Sequence, residues 1–192
     1  MRVLVLYAHP VETSFAAALH GVVVERLRAA GHEVDDCDLY AEGFDPVLSR
    51  AERLAYHDLS ANRAAVAPHV ARLERAEALV LVSPIWNFGH PAILKGYLDR
   101  VFLPGVTFAL EEGRIRPTLR LKRLVAVHSY GATRLMAWLV GDPPRRVVSR
   151  ILGGLLERRS GVRYLALYGM NTATKERRSA FLDRVAREMD WL

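Results

Sequence analysis

A chain of 192 residues that is 51% hydrophobic and 25% charged carries too much apolar side chain for a disordered polymer and is too long for a disulfide-stapled miniprotein. Folding at this size buries roughly 70% of the surface the unfolded chain exposes, enough for a core without a metal staple, so one domain over residues 1–192 is expected. The lone Cys37 excludes an intrachain disulfide and any CxxC site, and 27 basic against 21 acidic residues leave a formal charge of +6, which favours anionic partners.

In chain order, Met1 and Arg2 lead into Val3-Leu4-Val5-Leu6-Tyr7-Ala8, a run too short for a signal peptide and too short to span a bilayer. The reading is therefore a cytoplasmic protein with no membrane insertion. Arg2 to Ala8 is the first predicted strand, nearly continuous in apolar residues as a strand covered on both faces should be. Thr13 or Ser14 caps a helix whose Phe15, Leu19, Val22, Val23, Leu27 and Ala30 recur at helical spacing before Gly31 ends it. His32 to Leu39 alternates and reads as an edge strand. Ser49 to Asn62 and His69 to Arg75 read as short helices on the crossover to Ala78 to Ser83, another continuous apolar strand.

Pro91 suits a first helical turn and opens Ala92 to Phe102, with Ile93, Leu94, Tyr97, Leu98 and Val101 on one face. Phe108 to Ile115 reads as a small hairpin turning near Glu112-Gly113. Arg123 to Ser129 and Val162 to Tyr168 are the last two strands, with helices over Arg145 to Glu157 and Thr174 to Trp191. Between Arg114 and Arg163 a run of arginines, Arg134, Arg145, Arg146, Arg150, Arg158 and Arg159 among them, faces only Asp142 and Glu157. Phosphate groups fit such a surface; an ordinary solvated arginine face fits it too. Nucleic acid is not expected, because no zinc-finger spacing, RNP-like motif or Lys-rich tail accompanies the charge.

Strict alternation of strands and helices predicts an α/β fold: a three-layer, doubly wound, parallel five-stranded sheet in the order 2-1-3-4-5. In that order ligands sit at the carboxyl ends of the first, third and fourth strands. The segment after the first strand, His9 to Phe15, lacks GxGxxG and GxxxxGK[ST] but places Thr13 and Ser14 at a helix N-terminus, where amides and the macrodipole suit a phosphate. A plain N-cap explains the two hydroxyls equally well. After the third strand, Pro84-Ile85-Trp86-Asn87-Phe88 sets apolar and aromatic residues between two prolines, a wall for a planar ring. After the fourth, Ser129-Tyr130-Gly131 combines hydroxyls with a glycine that lets backbone approach a ligand. No metal site is expected.

Taken together, the stretch Pro84-Ile85-Trp86-Asn87-Phe88-Gly89-His90-Pro91 through Phe102, with Tyr7-Ala8-His9-Pro10 and Thr13-Ser14-Phe15, resembles the flavodoxin-like NAD(P)H:quinone oxidoreductases over nearly the whole chain. The resemblance implies the flavodoxin-like fold and a noncovalent flavin that takes hydride from NADH or NADPH at N5 and passes it to a quinone or similar aromatic acceptor in ping-pong turnover. It also implies a homodimer. It assigns His9, Thr13, Ser14 and Phe15 to the flavin phosphate and Pro84, Ile85, Trp86, Asn87 and Phe88 to the isoalloxazine ring. Ser129, Tyr130 and Gly131 fall at the ring's pyrimidine edge, and Tyr130 is a candidate acceptor contact. His128-Ser129-Tyr130-Gly131 departs from the family's Thr-Thr-Gly-Gly. Asn87 stands where mammalian-type members carry tryptophan, as in related FMN-dependent azoreductases, which favours FMN over FAD. No catalytic acid or base is assigned. The alternative function is a flavin-bearing ancillary subunit of a membrane potassium-efflux transporter. A one-electron carrier is disfavoured by the basic charge, and a phosphoacceptor domain by the absence of acidic residues after the first strand.

Overall fold

In the computed structural model, which describes residues 1–156 and 161–192, the first apolar run forms β1 (Arg2–Tyr7). Its Val3, Val5 and Tyr7 turn to one face of the sheet and Leu4 and Leu6 to the other, all buried, as the two-residue period of a strand requires. Helix α1 (Phe15–Ala29) follows, with Ser14 as its N-cap: the Ser14 hydroxyl accepts from the Ala17 amide at 3.1 Å. Then come the strand β2 (Glu33–Asp38) and α2 (Arg50–Ala55), the latter opened by a capping box between Ser49 and Glu52. A 3-10 turn at Ala64–Val66 leads into α3 (Ala67–Arg75).

The second half adds β3 (Ala78–Ile85), α4 (Ala92–Val101), the short strands β4 (Phe108–Glu111) and β5 (Arg114–Pro117), and β6 (Arg123–Tyr130). Two short helices, α5 (Arg134–Leu139) and α6 (Pro143–Arg146), precede β7 (Val162–Leu167) and the closing α7 (Lys175–Met189), which Thr174 caps. β4 and β5 form the expected hairpin, and Glu112 (φ 50°) with Gly113 (φ 73°) makes its tight left-handed turn.

The main sheet is parallel and ordered β2-β1-β3-β6-β7, which reads 2-1-3-4-5 when only parallel strands are counted. β2 lies at an edge, where its half-polar pattern is tolerated. On one face Val3, Val5, Val80, Val82, Val125 and Val127 pack beneath α1 (Leu19, Val23, Leu27) and α7 (Phe181, Val185, Met189). On the other, Leu4, Leu6, Leu79, Leu81 and Leu124 meet α3 (Val70, Leu73), α4 (Leu94, Tyr97, Val101) and the segment carrying Val148 and Leu152. These helices on both faces make three layers. Gly96 is required where α4 crosses the 45–47 segment: a Cβ there would lie 2.3 Å from the Pro46 carbonyl oxygen and 2.4 Å from its Cα.

Several elements differ from the expectation. Ser49 to Asn62 is helical only through Ala55, and Pro91 sits at the N-cap of α4 instead of inside its first turn. The helix expected over Arg145 to Glu157 is broken into α6, a π-helical turn at Val147–Ile151 and a 3-10 turn at Leu152–Leu155. Gly153 lies in that last turn because a Cβ there would sit 2.8 Å from Val162 Cγ2. α5 was not expected at all. Glu157, Arg158 and Arg159 lie outside the described residues. Among the described residues, no helix is long and apolar enough to cross a membrane.

Candidate functional site

The carboxyl ends of β1, β3 and β6 border a cavity of about 690 Å³. Its first wall is the turn into α1. His9 is fixed there: its Nδ1 accepts from the Val11 amide at 3.0 Å, and its ring meets the Trp86 ring edge-on with centroids 5.7 Å apart. Ser14, Phe15 and Ala16 line the cavity beside it. The amides of Phe15 and Ala16 begin a helix of 15 residues and have no intrahelical acceptor, so they point unpaired N–H groups and the positive end of the macrodipole toward the opening. That is the chemistry of an anion site.

The second wall is a turn under strain. β3 runs through Pro84 and Ile85, which pair with Ser129 and Tyr130 of β6, and the chain then reverses over Asn87 and Phe88. Trp86 and Gly89 exchange both backbone hydrogen bonds, at 3.0 and 2.9 Å, closing a two-residue hairpin turn. Asn87 (φ 49°) and Phe88 (φ 56°) are both left-handed. Asparagine adopts this conformation readily; phenylalanine does so at a cost on the order of 1–3 kcal/mol. The turn displays Trp86, which is 43% exposed, and half-buried Phe88 at the cavity rim.

Ser129, Tyr130, Gly131 and Ala132 form the third wall, and Met170 and Asn171, from the 3-10 turn after β7, close the side. Gly131 lets Asn171 approach: a Cβ on Gly131 would stand 3.1 Å from the Asn171 Nδ2. Behind this wall lies a polar knot. The Tyr130 hydroxyl donates to Asp142 Oδ1 at 2.7 Å and also meets the Tyr164 hydroxyl, and the Tyr168 hydroxyl donates to Asp142 Oδ2 at 2.9 Å. Burial, reinforced by Tyr164 and Asp142, holds the Tyr130 phenol far above its usual range, and burial does the same to Tyr164, so both stay protonated.

Ser83 and His128 lie one layer deeper, 1% and 0% exposed. Nδ1 of His128 is 3.1 Å from both the Ser83 hydroxyl and the Ser83 carbonyl, and the carbonyl can only accept, so this nitrogen carries the proton. Burial, with His90 adjacent, pushes the His128 ring down to about 3, and burial with help from Lys95 pushes His90 down to about 4. The pair is neutral and sealed. Its serine is no accessible nucleophile.

Of the residues singled out from the sequence, His9, Ser14, Phe15, Pro84, Ile85, Trp86, Asn87, Phe88, Ser129, Tyr130 and Gly131 all line this one cavity. Thr13 is exposed and is not part of its wall. Tyr130 is only 1% exposed, with its hydroxyl committed to Asp142 and Tyr164. Sequence reasoning missed Ala16, Ala132, Met170 and Asn171; the signal for the last two is the Gly169-Met170-Asn171 turn directly after the fifth parallel strand.

Comparison with known proteins gives the following. The model of a family described as having a flavodoxin-like fold matches residues 1–188. NAD(P)H dehydrogenase [quinone] 1 of Cavia porcellus is 32% identical over 156 residues, 73% of this chain and 57% of that protein. The chain spans about half the length of the curated relatives it matches, from 45% to 61% of the first four. Among solved structures, an NAD(P)H:quinone oxidoreductase from Methanothermobacter marburgensis superposes with a TM-score of 0.84 at 30% identity, covering 99% of this chain and 98% of that one. An FMN-dependent NADH-azoreductase from Bacillus anthracis, solved in complex with FMN, superposes with a TM-score of 0.75 at 16% identity over 99% and 96% of the two chains, a likeness of fold alone.

Proposed function

We propose that this chain, which belongs to the family with the flavodoxin-like fold, is a flavin-dependent NAD(P)H oxidoreductase that passes hydride to a quinone or a similar aromatic acceptor. The observation that carries the reading is the pairing, across one 690 Å³ cavity, of an open helix N-terminus with a strained aromatic turn. An anion cradle beside a flat apolar wall is what a phosphorylated tricyclic ring needs. The likeness to the Methanothermobacter marburgensis quinone oxidoreductase along almost the full length of both chains supports the same reading.

The residues present fit FMN. Ser14 with the Phe15 and Ala16 amides would hold the phosphate, His9 would border it, and Thr13, exposed beside the cap, is kept as a further phosphate contact. Pro84, Ile85, Trp86, Asn87 and Phe88 would lie along the ring, with Ser129, Tyr130 and Gly131 at its pyrimidine edge. Asn171, drawn in over Gly131, adds an amide that sequence reasoning did not include. Bound there, the flavin supplies the atom that accepts and returns hydride.

The protein's part is orientation and exclusion. The strand ends would back one side of the ring, and Trp86 and Phe88 at the rim would border the apolar opening that nicotinamide and acceptor use in turn, in ping-pong turnover. Tyr130, with its buried phenol, stiffens the floor and leaves the acceptor contact to Trp86 and Phe88. Donors of the Ser129–Gly131 segment oppose negative charge developing at the pyrimidine edge. In this reading residues 1–192 act as one flavin-binding domain in the cytoplasm. The chain works as a homodimer, and the apolar hollow lined by Phe102, Phe108, Ile115 and Ile151 is its proposed contact face.

The test is direct. The purified protein incubated with FMN and desalted should keep a yellow chromophore that mass analysis identifies as FMN, and should oxidise NADPH or NADH with a quinone. A protein that stays colourless after incubation with FMN and FAD overturns the reading.

A further inference from the structure

Beside the cavity lies a second hollow of about 350 Å³ with four arginines among its nine lining residues: Arg134, Arg145, Arg146 and Arg150 border it together with Trp138 and a single carboxylate, Asp142. Arg134 and Trp138 are four residues apart on α5 and share a face, and Arg146 and Arg150 have the same spacing on the opposing segment. The helices therefore turn one guanidinium group and an indole toward one space from one side, and the three guanidinium groups of Arg145, Arg146 and Arg150 from the other. Two of the four are set in place. The Arg145 guanidinium lies over the Tyr164 ring at 5.3 Å, and that of Arg146 packs over Gly141, 3.5 Å from where a Cβ would stand. Among the described residues, the guanidinium groups of Arg134, Arg146 and Arg150 have no ion-pair or hydrogen-bond partner. Of the residues described, Asp142 is the one carboxylate facing these four arginines, and its two oxygens accept from Tyr130 and Tyr168. Trp138 is 71% exposed, an apolar plate left open to solvent.

Concentrated guanidinium groups attract a phosphate, which they bind bidentately, and an exposed indole offers a stacking face for a purine. The hollow is also tied to the cavity above: Tyr130 lines the cavity, Asp142 lines the hollow, and one hydrogen bond of 2.7 Å joins them. Given the oxidoreductase reading, on which this inference rests, we propose that the arginine hollow receives the adenosine end of the nicotinamide dinucleotide and selects the form carrying a 2′-phosphate. Trp138 stacks the purine, and Arg146 and Arg150 bind the 2′-phosphate. The chain is then an NADPH enzyme, and the basic run noted in its sequence has a specific guest.

The experiment titrates the holoprotein calorimetrically with adenosine 2′,5′-bisphosphate, 5′-AMP and inorganic phosphate, and repeats this with Trp138→Ala and the Arg146→Ala/Arg150→Ala double variant. The bisphosphate should bind at least roughly tenfold more tightly than 5′-AMP, and inorganic phosphate more weakly than either. The double variant should erase the bisphosphate's advantage, and Trp138→Ala should weaken both nucleotides. The ratio of kcat/KM for NADPH over NADH should fall in the double variant by the same factor as the bisphosphate affinity. Equal affinity for bisphosphate and 5′-AMP, binding of phosphate alone as tight as the nucleotides, or a double variant indistinguishable from the parent each overturns the proposal. The two readings fail separately. Arginine-dependent bisphosphate binding without quinone reduction sinks the oxidoreductase reading and leaves the hollow as a nucleotide site, whereas quinone reduction with no such binding does the reverse.

Discussion

Asp142 holds the phenols of Tyr130 and Tyr168 with its two carboxylate oxygens, at 2.7 and 2.9 Å, from a left-handed backbone position (φ 45°) just ahead of the Pro143-Pro144 pair. One carboxylate therefore joins the end of β6, the segment after β7 and the start of α6, and its removal takes the acceptor from the Tyr168 hydroxyl and leaves the buried Tyr130 hydroxyl with Tyr164 alone. Asp142→Ala should cost on the order of 2 kcal/mol, about 4–8 °C in Tm. Asp142→Asn should cost less, since asparagine keeps the left-handed preference and one acceptor oxygen. Tyr130→Phe should cost least, because Asp142 then still has Tyr168. Thermal unfolding of the three variants checks the order.

The buried histidines set the acid limb of stability. His128 and His90 have pKa values pushed down to about 3 and about 4 from an ordinary 6.5, so below pH 6.5 the unfolded chain takes up protons that the folded chain refuses. Stability is then fully present above pH 6.5 and is lost as pH falls toward 4, by up to about 1.4 kcal/mol per pH unit for each histidine. His69 and His32, also lowered by burial, act in the same direction. Denaturant unfolding between pH 7.5 and 5 should show the loss, and His90→Gln should reduce the slope by roughly one proton's worth. A stability independent of pH across this window contradicts the burial of these rings.

The sheet was legible because its inner strands are covered on both faces: Val3 to Tyr7 and Ala78 to Val82 have no polar side to interrupt them, so apolar continuity alone marks them. The half-polar Glu33–Asp38 was legible as an edge for the converse reason. α5 was not legible, because Leu135, Met136, Trp138 and Leu139 are all exposed, and a segment apolar around its whole circumference has no helical stripe to read. The long helix after Arg145 gives way to a π-helical turn from Val147 and a 3-10 turn from Leu152, where Gly153 is held against Val162 on a distant strand, a tertiary fact without a local signature. At the site, chemistry-bearing side chains announced themselves while backbone did not. The strain at Asn87 and Phe88 and the approach of Asn171 over Gly131 are products of pairing and packing.

Two glycines separate fold from site. At Gly96 a Cβ would press into Pro46 backbone at 2.3 Å, which can yield only by moving α4, so Gly96→Ala should destabilise by about 1–3 kcal/mol while folded protein keeps its flavin affinity. At Gly131 the neighbour is the Asn171 amide at 3.1 Å, a side chain free to turn. Gly131→Ala should leave the unfolding free energy within about 0.5 kcal/mol of the parent and weaken flavin binding several-fold. Measuring Tm and FMN affinity on both variants gives opposite outcomes, and parallel losses in both would contradict the placement of Gly131 at the ring's edge.

Phe88 offers the sharpest separation of stability from activity. Its φ of 56° follows an asparagine at 49° in a closed two-residue turn, the setting in which an Asn-Gly pair is favoured. In ordinary backbone, truncation to glycine is worse than truncation to alanine because glycine adds entropy to the unfolded chain. Here the order should invert: Phe88→Gly releases the left-handed strain that Phe88→Ala retains, so the glycine variant should be the more stable of the two by about 1 kcal/mol. Both variants lose the aromatic edge at the cavity rim, and both should lower kcat/KM for an aromatic acceptor by a similar, roughly tenfold factor. Unfolding midpoints and quinone reduction rates on the pair decide the matter. Alanine more stable than glycine would show that the turn is not strained at Phe88, and undiminished quinone reduction in both would remove Phe88 from the acceptor's path.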